Sequence, residues 1–455
     1  MHQNKKIKTN KRTEGDINYT PARQAWLDHE VDESTKALLE KDSRYFFHQA
    51  LSSPCLDVLK NCEGPYIENL SGKKYLDFHG NNVHQLGFSH PKLIQRLTEQ
   101  LQSLTFSTRR YTNEAAINFA EKLASLLPSD LNRTLMTPNG SAAIGIALKL
   151  ARAVTGKFKV VSFWDSFHGA SLDAISVGGE SVFREHMGPM MPGVERIPPP
   201  VTYRGIYEGN ESKCLEYLEY VFAKEGDIGA FLAETVRNTD VQLPSKTFWK
   251  EARKLCDTYG VLLILDEIPI AMGRTGKMFA FEHYDIEPDI LCLGKGLGGG
   301  IFPQAAIVTR DAYNNFSDIS LGHYTHEKSP LGAVAALTTL EIIEEELRLD
   351  KIKNLERIMH QEMNLLKEKY SIIGDVRGLG LLWGLELVKN PKTKEKAIDE
   401  AEKVMYECLK NGLSFKVSAG NVLQLAPALT ISEYELKKAV KILDNSLSSL
   451  NHQTN

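Results

Sequence analysis

Four short apolar runs in this chain end in residues able to do chemistry. Asp266 closes VLLILDE, and Lys295 follows DILCLG inside GKGLGGG. Phe167-His168-Gly169 comes after KVVSFW, and Glu234 ends GAFLAE. A lysine after a strand is ordinarily solvated, but this one lies among glycines that leave room around it. An aspartate at the end of a different buried strand completes a pair with a known use. A lysine amine can form a Schiff base, and an acid can keep a pyridinium nitrogen protonated, which are the two requirements of a pyridoxal phosphate site. Such a site also needs a phosphate cradle. TPNGSAAIGIALKLAR offers one, since Gly140 allows close backbone approach, Ser141 adds a hydroxyl, and the helix that begins there favours an anion at its N-terminus. Taken alone, the Gly-Ser start reads better as a simple helix cap.

These residues must be positioned by a sheet. Through the middle of the chain, apolar runs rich in β-branched residues alternate with helical patterns such as TFWKEARKLCDTYG, where Gly260 stands at the expected C-terminal cap. Strands that read as continuous hydrophobic runs are buried on both faces, as in a parallel sheet covered by helices, and ligands bind such sheets beyond the carboxyl ends of the strands. The spacing therefore predicts one large α/β domain over residues 97–343. A smaller α+β domain follows over 344–455, with a charged helical stretch (LEIIEEELRLDKIKNLERIMHQEMNLLKEKY) and strand candidates in GDVRGLGLLWGLELV and NVLQLAPALTI. YIENLSGKKYLDFHG alternates about a Ser-Gly turn and reads as a hairpin.

The 455 residues are 42% hydrophobic and 25% charged, which is globular composition and excludes a mostly disordered or collagenous chain. A net charge of -4 leaves no basic footprint for nucleic acid. The apolar runs, Val261 to Leu265 among them, fall far short of the roughly 20 residues a membrane helix needs. MHQNKKIKTNKRTEGDINYT is basic and polar, lacks the apolar core of a secretory signal, and reads as an N-terminal arm over residues 1–35. The six cysteines are scattered without a CxxC pair, so reduced thiols of a cytoplasmic protein are expected, and no metal site.

The run from Asp266 to Gly300, DEIPIAMGRTGKMFAFEHYDIEPDILCLGKGLGGG, resembles the signature of class III aminotransferases, pyridoxal phosphate enzymes of fold type I. The likeness extends from YIENLSGKKYLDF through the glycine-serine loop and SFHG to GDVRGLGLLWGLEL. It implies a large domain with a mostly parallel seven-stranded sheet, and a segment at 36–96 that packs with the small domain. It also implies that Lys295 carries the cofactor and Asp266 faces its ring nitrogen, with Gly140 and Ser141 on the phosphate. Phe167 and Ile268 would cover the two ring faces, His168 would position the ring, and Glu234 would lie beside it. Thr325, ahead of Ser-Pro-Leu at Ser329, matches a threonine lent to the neighbouring subunit's phosphate, so a homodimer with shared active sites is implied.

Departures from the family decide the expected chemistry. Where members that use glutamate commonly carry a carboxylate-gripping arginine, LQLAPAL holds Gln424, and an amide cannot replace a bidentate guanidinium. Pro269 replaces a ring-bonding glutamine, Ala142 a glutamate, and TVRNTDVQLPS brings Arg237 in after Glu234. A transaminase needs a keto-acid partner, whereas a lyase does not. PVTYRGIY, RRYTNE and GDVRGLGL are similar to segments of ethanolamine-phosphate phospho-lyases, and Glu-Thr-Val-Arg-Asn-Thr at Glu234 to an ammonia-lyase subgroup acting on hydroxyaminoethylphosphonate. The resemblance thus implies loss of water and ammonia from (R)-2-amino-1-hydroxyethylphosphonate to give phosphonoacetaldehyde. The alternatives are an ω-aminotransferase acting on an aminophosphonate or simple amine, and a cofactor-binding scaffold without turnover. A phosphonate dianion needs cations, and Arg237, Arg110, Arg204 and Arg109 are the candidates, with Gln424 beside the substrate. Arg377 in VRGLG reads as a structural residue.

Overall fold

The computed structural model describes residues 15, 17–347 and 349–451, so most of the basic stretch expected to form the N-terminal arm lies outside the described residues. Seven strands form the central sheet: β4 (Leu131–Thr137), β5 (Lys159–Phe163), β6 (Val194–Ile197), β7 (Ile228–Glu234), β8 (Leu262–Asp266), β9 (Ile290–Leu293) and β10 (Ala305–Arg310), in the order β4-β10-β9-β8-β7-β5-β6. Pairing is parallel from β6 to β9, and β10 runs antiparallel to both β9 and β4. Every residue of β7, β8 and β9 is buried, because helices cover both faces and leave no polar side to alternate. Alternation survives only in the partners. Phe231, Leu263 and Leu265 join one core with Phe248, Trp249 and Ala252 of the helix Lys246–Tyr259. Leu232, Leu262 and Ile264 join another with Ile144, Ala147 and Leu148 of the helix Gly140–Thr155. Gly260 caps its helix at φ 61°, the left-handed position where an added Cβ is disfavoured.

The hairpin near Tyr66 is present, and it recruits a distant segment. β1 (Leu59–Glu63), β2 (Tyr66–Asn69) and β3 (Lys74–Asp77) continue into β14 (Leu413–Ser414), which pairs parallel with β3 through Leu76↔Leu413 and Asp77↔Ser414. The remaining sheet is β11 (Ile373–Leu379), β12 (Leu382–Asn390), β16 (Val422–Leu425) and β15 (Lys416–Ser418), with β13 (Glu395–Lys396) on β12. Its core includes residues from the helices Leu349–Lys369, Ile398–Lys410 and Glu433–Asn451.

Two expectations are shortened. NVLQLAPALTI is a strand only over Val422–Leu425, since Pro427 has no N–H for a ladder and its carbonyl instead accepts from Arg274. The charged helical stretch is interrupted by a wide turn at Ile343–Leu347 before Leu349–Lys369 begins. We propose that the chain divides at 36–96, 97–343 and 344–455; the seven-stranded sheet then lies within the middle part, and β14 joins the first part to the last. Among the described residues no helix is long and apolar enough to cross a membrane, and no group of His, Cys, Asp and Glu could hold a metal ion.

Candidate active site

Register places two carboxylates side by side. Glu234 ends β7 directly opposite Asp266 at the end of β8, and Asp266 lies opposite Cys292 of β9, three residues before Lys295. Asp266 is 1% exposed; its Oδ1 accepts from the Ile268 N–H at 3.0 Å, and its Oδ2 meets His168 Nδ1 at 2.8 Å. Glu234 accepts from the Phe167 N–H at 3.1 Å and the Asn238 N–H at 3.0 Å, so one side chain holds both the loop after β5 and the loop after β7. Burial first, and the Asp266 charge after it, push the Glu234 carboxyl up to about 7. The neighbouring Glu267 ties down the loop after β8 through Thr235 Oγ1 and the N–H groups of Ala280 and Phe281.

Lys295 follows β9 and Gly294 at φ 46°, a left-handed conformation that costs a non-glycine residue of order 1 kcal/mol or more and clusters at functional sites. Burial pushes its ammonium down, Asp266 and Glu234 pull it back up, and Lys416 pushes it down further; the net direction is downward. A free amine is correspondingly more available. Ile268 fits between the lysine loop and the helix start: a Cβ on Gly140 would lie 2.9 Å from its Cδ1, and one on Gly294 3.2 Å from its Cγ2. Glycine at both places permits that packing.

The cradle is stitched to the SFHG loop. Asn139 caps the helix by accepting from Ala142 N–H at 2.9 Å, and Ser141 Oγ accepts from Ala170 N–H at 3.0 Å. Gly169 sits at φ 129°, where an added Cβ would be 2.4 Å from Ser141 Oγ. The N–H groups of the first helical turn have no carbonyl within the helix to bond. His168 Nε2 is buried without a partner, although Nδ1 is spent on Asp266. A lysine with its ammonium destabilised, a buried acid with a histidine behind it, and anion-binding backbone N–H groups together fit pyridoxal phosphate. The Phe167 ring, half-buried, packs on Phe183 with centroids 4.7 Å apart. Thr325 is exposed in the turn before the helix Pro330–Ile342.

The expected substrate residues are brought together unevenly. Arg237 is bound through both Nε and Nη2 to Asp240, while its Nη1 is buried without a hydrogen bond. It lines a small cleft with Ser166, Pro199, Val201 and Glu234, and Lys295 does not line that cleft. Arg204 pairs with Glu386, on the small sheet. Arg109 and Arg110 are exposed in the loop before the helix Glu114–Ser125. Gln424 is 2% exposed, and its Nε2 donates to the Asn238 carbonyl at 2.6 Å. Arg377 is structural: it donates to the carbonyls of Asp240 and Val241 and to the carboxylates of Asp375 and Glu386.

Two nearby residues escaped the sequence reading. Gln85 is 1% exposed with both amide atoms unpartnered, and a Cβ on Gly296 would lie 2.2 Å from its Oε1, which sets it against the lysine loop. Lys416 belongs to a three-residue strand too short to show periodicity.

Residues 48–447 match the family model described as aminotransferase class III. The chain is 55% identical to the (R)-1-hydroxy-2-aminoethylphosphonate ammonia-lyase of Vibrio splendidus, over 97% of this chain and 96% of that protein. Among solved structures it is similar to a transaminase from a marine Virgibacillus, with TM-score 0.87, 28% identity, and coverage of 92% of this chain and 100% of that one. It is also similar to the taurine:2-oxoglutarate aminotransferase of Bifidobacterium kashiwanohense in complex with PLP and glutamate, with TM-score 0.86, 26% identity, and coverage of 93% and 99%.

Proposed function

This chain belongs to the class III aminotransferase family, and we propose that within it the protein is a pyridoxal-phosphate-dependent ammonia-lyase converting (R)-2-amino-1-hydroxyethylphosphonate to phosphonoacetaldehyde and ammonia. The near full-length likeness to an ammonia-lyase of that specificity carries the reading. Gln424 supports it, because its amide is committed to the Asn238 carbonyl and offers no cation to the carboxylate of a keto acid. We further propose that the enzyme works in the cytoplasm as a homodimer, with the exposed Thr325 of each subunit serving the other's cofactor phosphate.

Bound pyridoxal phosphate supplies an electron sink that acidifies the C–H of the amine-bearing carbon. Asp266, oriented by the Ile268 N–H and His168, keeps a proton on the nitrogen facing it. Lys295 Nζ, its ammonium disfavoured by burial, takes the proton from that carbon. Hydroxide is a poor leaving group, so Lys295 delivers the same proton to the departing β-hydroxyl, which leaves as water. The enamine released takes water back and loses ammonia, so the net change is loss of ammonia alone. Gly140, Ser141 and the helix start would hold the phosphate and Phe167 and Ile268 would cover the ring, while Glu234 fixes the loops after β5 and β7.

The wild-type holoenzyme, given this substrate without any keto acid, is expected to release ammonia and phosphonoacetaldehyde one for one over many turnovers. Silence until 2-oxoglutarate or pyruvate is added, followed by amino acid, would establish the transaminase instead. Arg237 is proposed to lend its Nη1, which makes no hydrogen bond and stands 4.0 Å from Asp165 Oδ2, to a phosphonate oxygen, a charge-assisted bond worth about 1.5–3 kcal/mol. Arg237→Ala is therefore expected to raise the apparent KM about tenfold or more with the cofactor spectrum retained; steady-state kinetics showing an unchanged KM would remove it from the site.

A further inference from the structure

A row of side chains crosses the small sheet. Arg377 of β11 lies opposite Gly384 of β12, Gly384 opposite Gln424 of β16, and Gln424 opposite Lys416 of β15. Directly opposed residues of antiparallel strands project from the same face. That face docks on the loop after β7. Arg377 donates to the carbonyls of Asp240 and Val241, a Cβ on Gly384 would meet the Val241 Cβ at 3.1 Å, and Gln424 donates to the Asn238 carbonyl. From Arg377 and Gly384, which meet Asp240 and Val241, to Gln424, which meets Asn238, the row moves back along the loop towards Glu234. Lys416 is the last member of the row, half-buried on the edge strand, and among the described residues its side chain makes no hydrogen bond or ion pair. Just before it, β14 pairs with the end of β3, so Lys416 also stands beside the Asp77–His79 segment.

Its charge is felt inside the site. Lys416 pushes the Lys295 ammonium down, and together with Lys295 it adds to the burial that takes His79 down to about 3. Glu180 lies in the same field: burial raises its carboxyl and the Lys416 charge lowers it, and it accepts from Thr239 Oγ1 at 3.0 Å. Charge accounting then separates the cations. Arg204 is neutralised by Glu386 and Arg377 by Asp375 and Glu386, while Arg237 is paired with Asp240 through Nε and Nη2, which leaves only its Nη1 for an anion. An entering dianion gains little net attraction from cations already paired, and most from one that is not.

We propose that Lys416 joins Arg237 Nη1 in receiving the substrate's phosphonate, at the open end of the Arg377–Gln424 row, while the amine reaches Lys295. The assignment rests on the aminophosphonate reading above, and deepens it by naming a residue that no motif marks. The probe is 2-hydroxyethylphosphonate, which has the anion but no amine and so binds without reacting. Calorimetry on the holoenzyme is expected to show binding by the wild type, weakening by about tenfold or more in Lys416→Met, and near-recovery in Lys416→Arg. The Lys416 side chain has no hydrogen-bond or ion-pair partner among the described residues to be orphaned, and retention of the cofactor absorbance checks that each variant is folded. Wild-type affinity in Lys416→Met, or no binding by the wild type, overturns the proposal. The lyase reading fails separately: a wild type that binds the probe through Lys416 but frees no ammonia from the aminophosphonate has the anion site without the chemistry.

Discussion

Lys295→Ala is expected to lower kcat by at least about three orders of magnitude, the upper range for loss of a positioned acid-base group, compounded here by loss of the covalent attachment. The same Nζ is asked to hold the cofactor, take the carbon-bound proton and deliver it to the departing hydroxyl. No other amine is expected to substitute, because Lys416 stands on the edge strand of the small sheet whereas Lys295 follows β9 and Gly294 of the central sheet. The substitution also removes a left-handed non-glycine residue's larger side chain without disturbing a hydrogen bond, so the fold is expected to persist. Two readouts belong together: ammonia release, and the absorbance of the lysine-linked cofactor. Retained absorbance at the position typical of that linkage would move the attachment to another lysine. Lost absorbance with retained turnover would make Lys295 a mere anchor.

The second large effect is at Asp266. Asp266→Asn keeps the shape but replaces a carboxylate by a neutral amide opposite the cofactor nitrogen, and a fall in kcat of roughly two to three orders of magnitude is expected from removing one preorganised electrostatic partner. A directional pH effect accompanies it. The Asp266 charge raises the Lys295 pKa against the lowering by burial, so removing that charge lets the pKa fall further. Lys295 must be unprotonated to act as base, so the acid limb of the pH–kcat profile is expected to shift to lower pH even as the plateau falls. A full plateau with an unmoved limb would show that Asp266 neither supports the cofactor nor senses Lys295. His168, whose Nδ1 faces the carboxylate, gives a control: the neutral amide retains an oxygen acceptor at that place, so loss of activity is assigned to charge rather than to collapse of the pair.

The central sheet and its reactive ends were legible because the signals are local. Runs such as VLLILDE and GAFLAE combine continuous apolarity with a terminal carboxylate, and in the structure those carboxylates are register partners. Gly260 closes its helix as its position predicts, and the Ser-Gly hairpin forms. The remaining strands are a different case. β14 and β15 contain two and three residues, too few for any period, and they exist because distant strands offer them ladders. NVLQLAPALTI overstated its strand because apolarity continues past Pro427 while backbone donors do not.

What the sequence determined by itself is the chemistry of the centre: a lysine among glycines, an aspartate closing a buried strand, a glycine-serine helix start, and an amide where a family arginine is common. Side-chain type and short-range spacing suffice for these, since each is read beside its own strand or helix end. The tertiary structure alone decided which cations are free. Arg237 and Arg204 read from sequence as candidate cations for the phosphonate, yet folding places Asp240 and Glu386 against them, whereas the Lys416 side chain, on the edge strand of the small sheet, makes no ion pair among the described residues. Although Asp240 lies three residues from Arg237, the Glu386 pairing and the row from Arg377 to Lys416 join residues far apart in the chain. Charge compensation is set by distance in space, and no local pattern carries it.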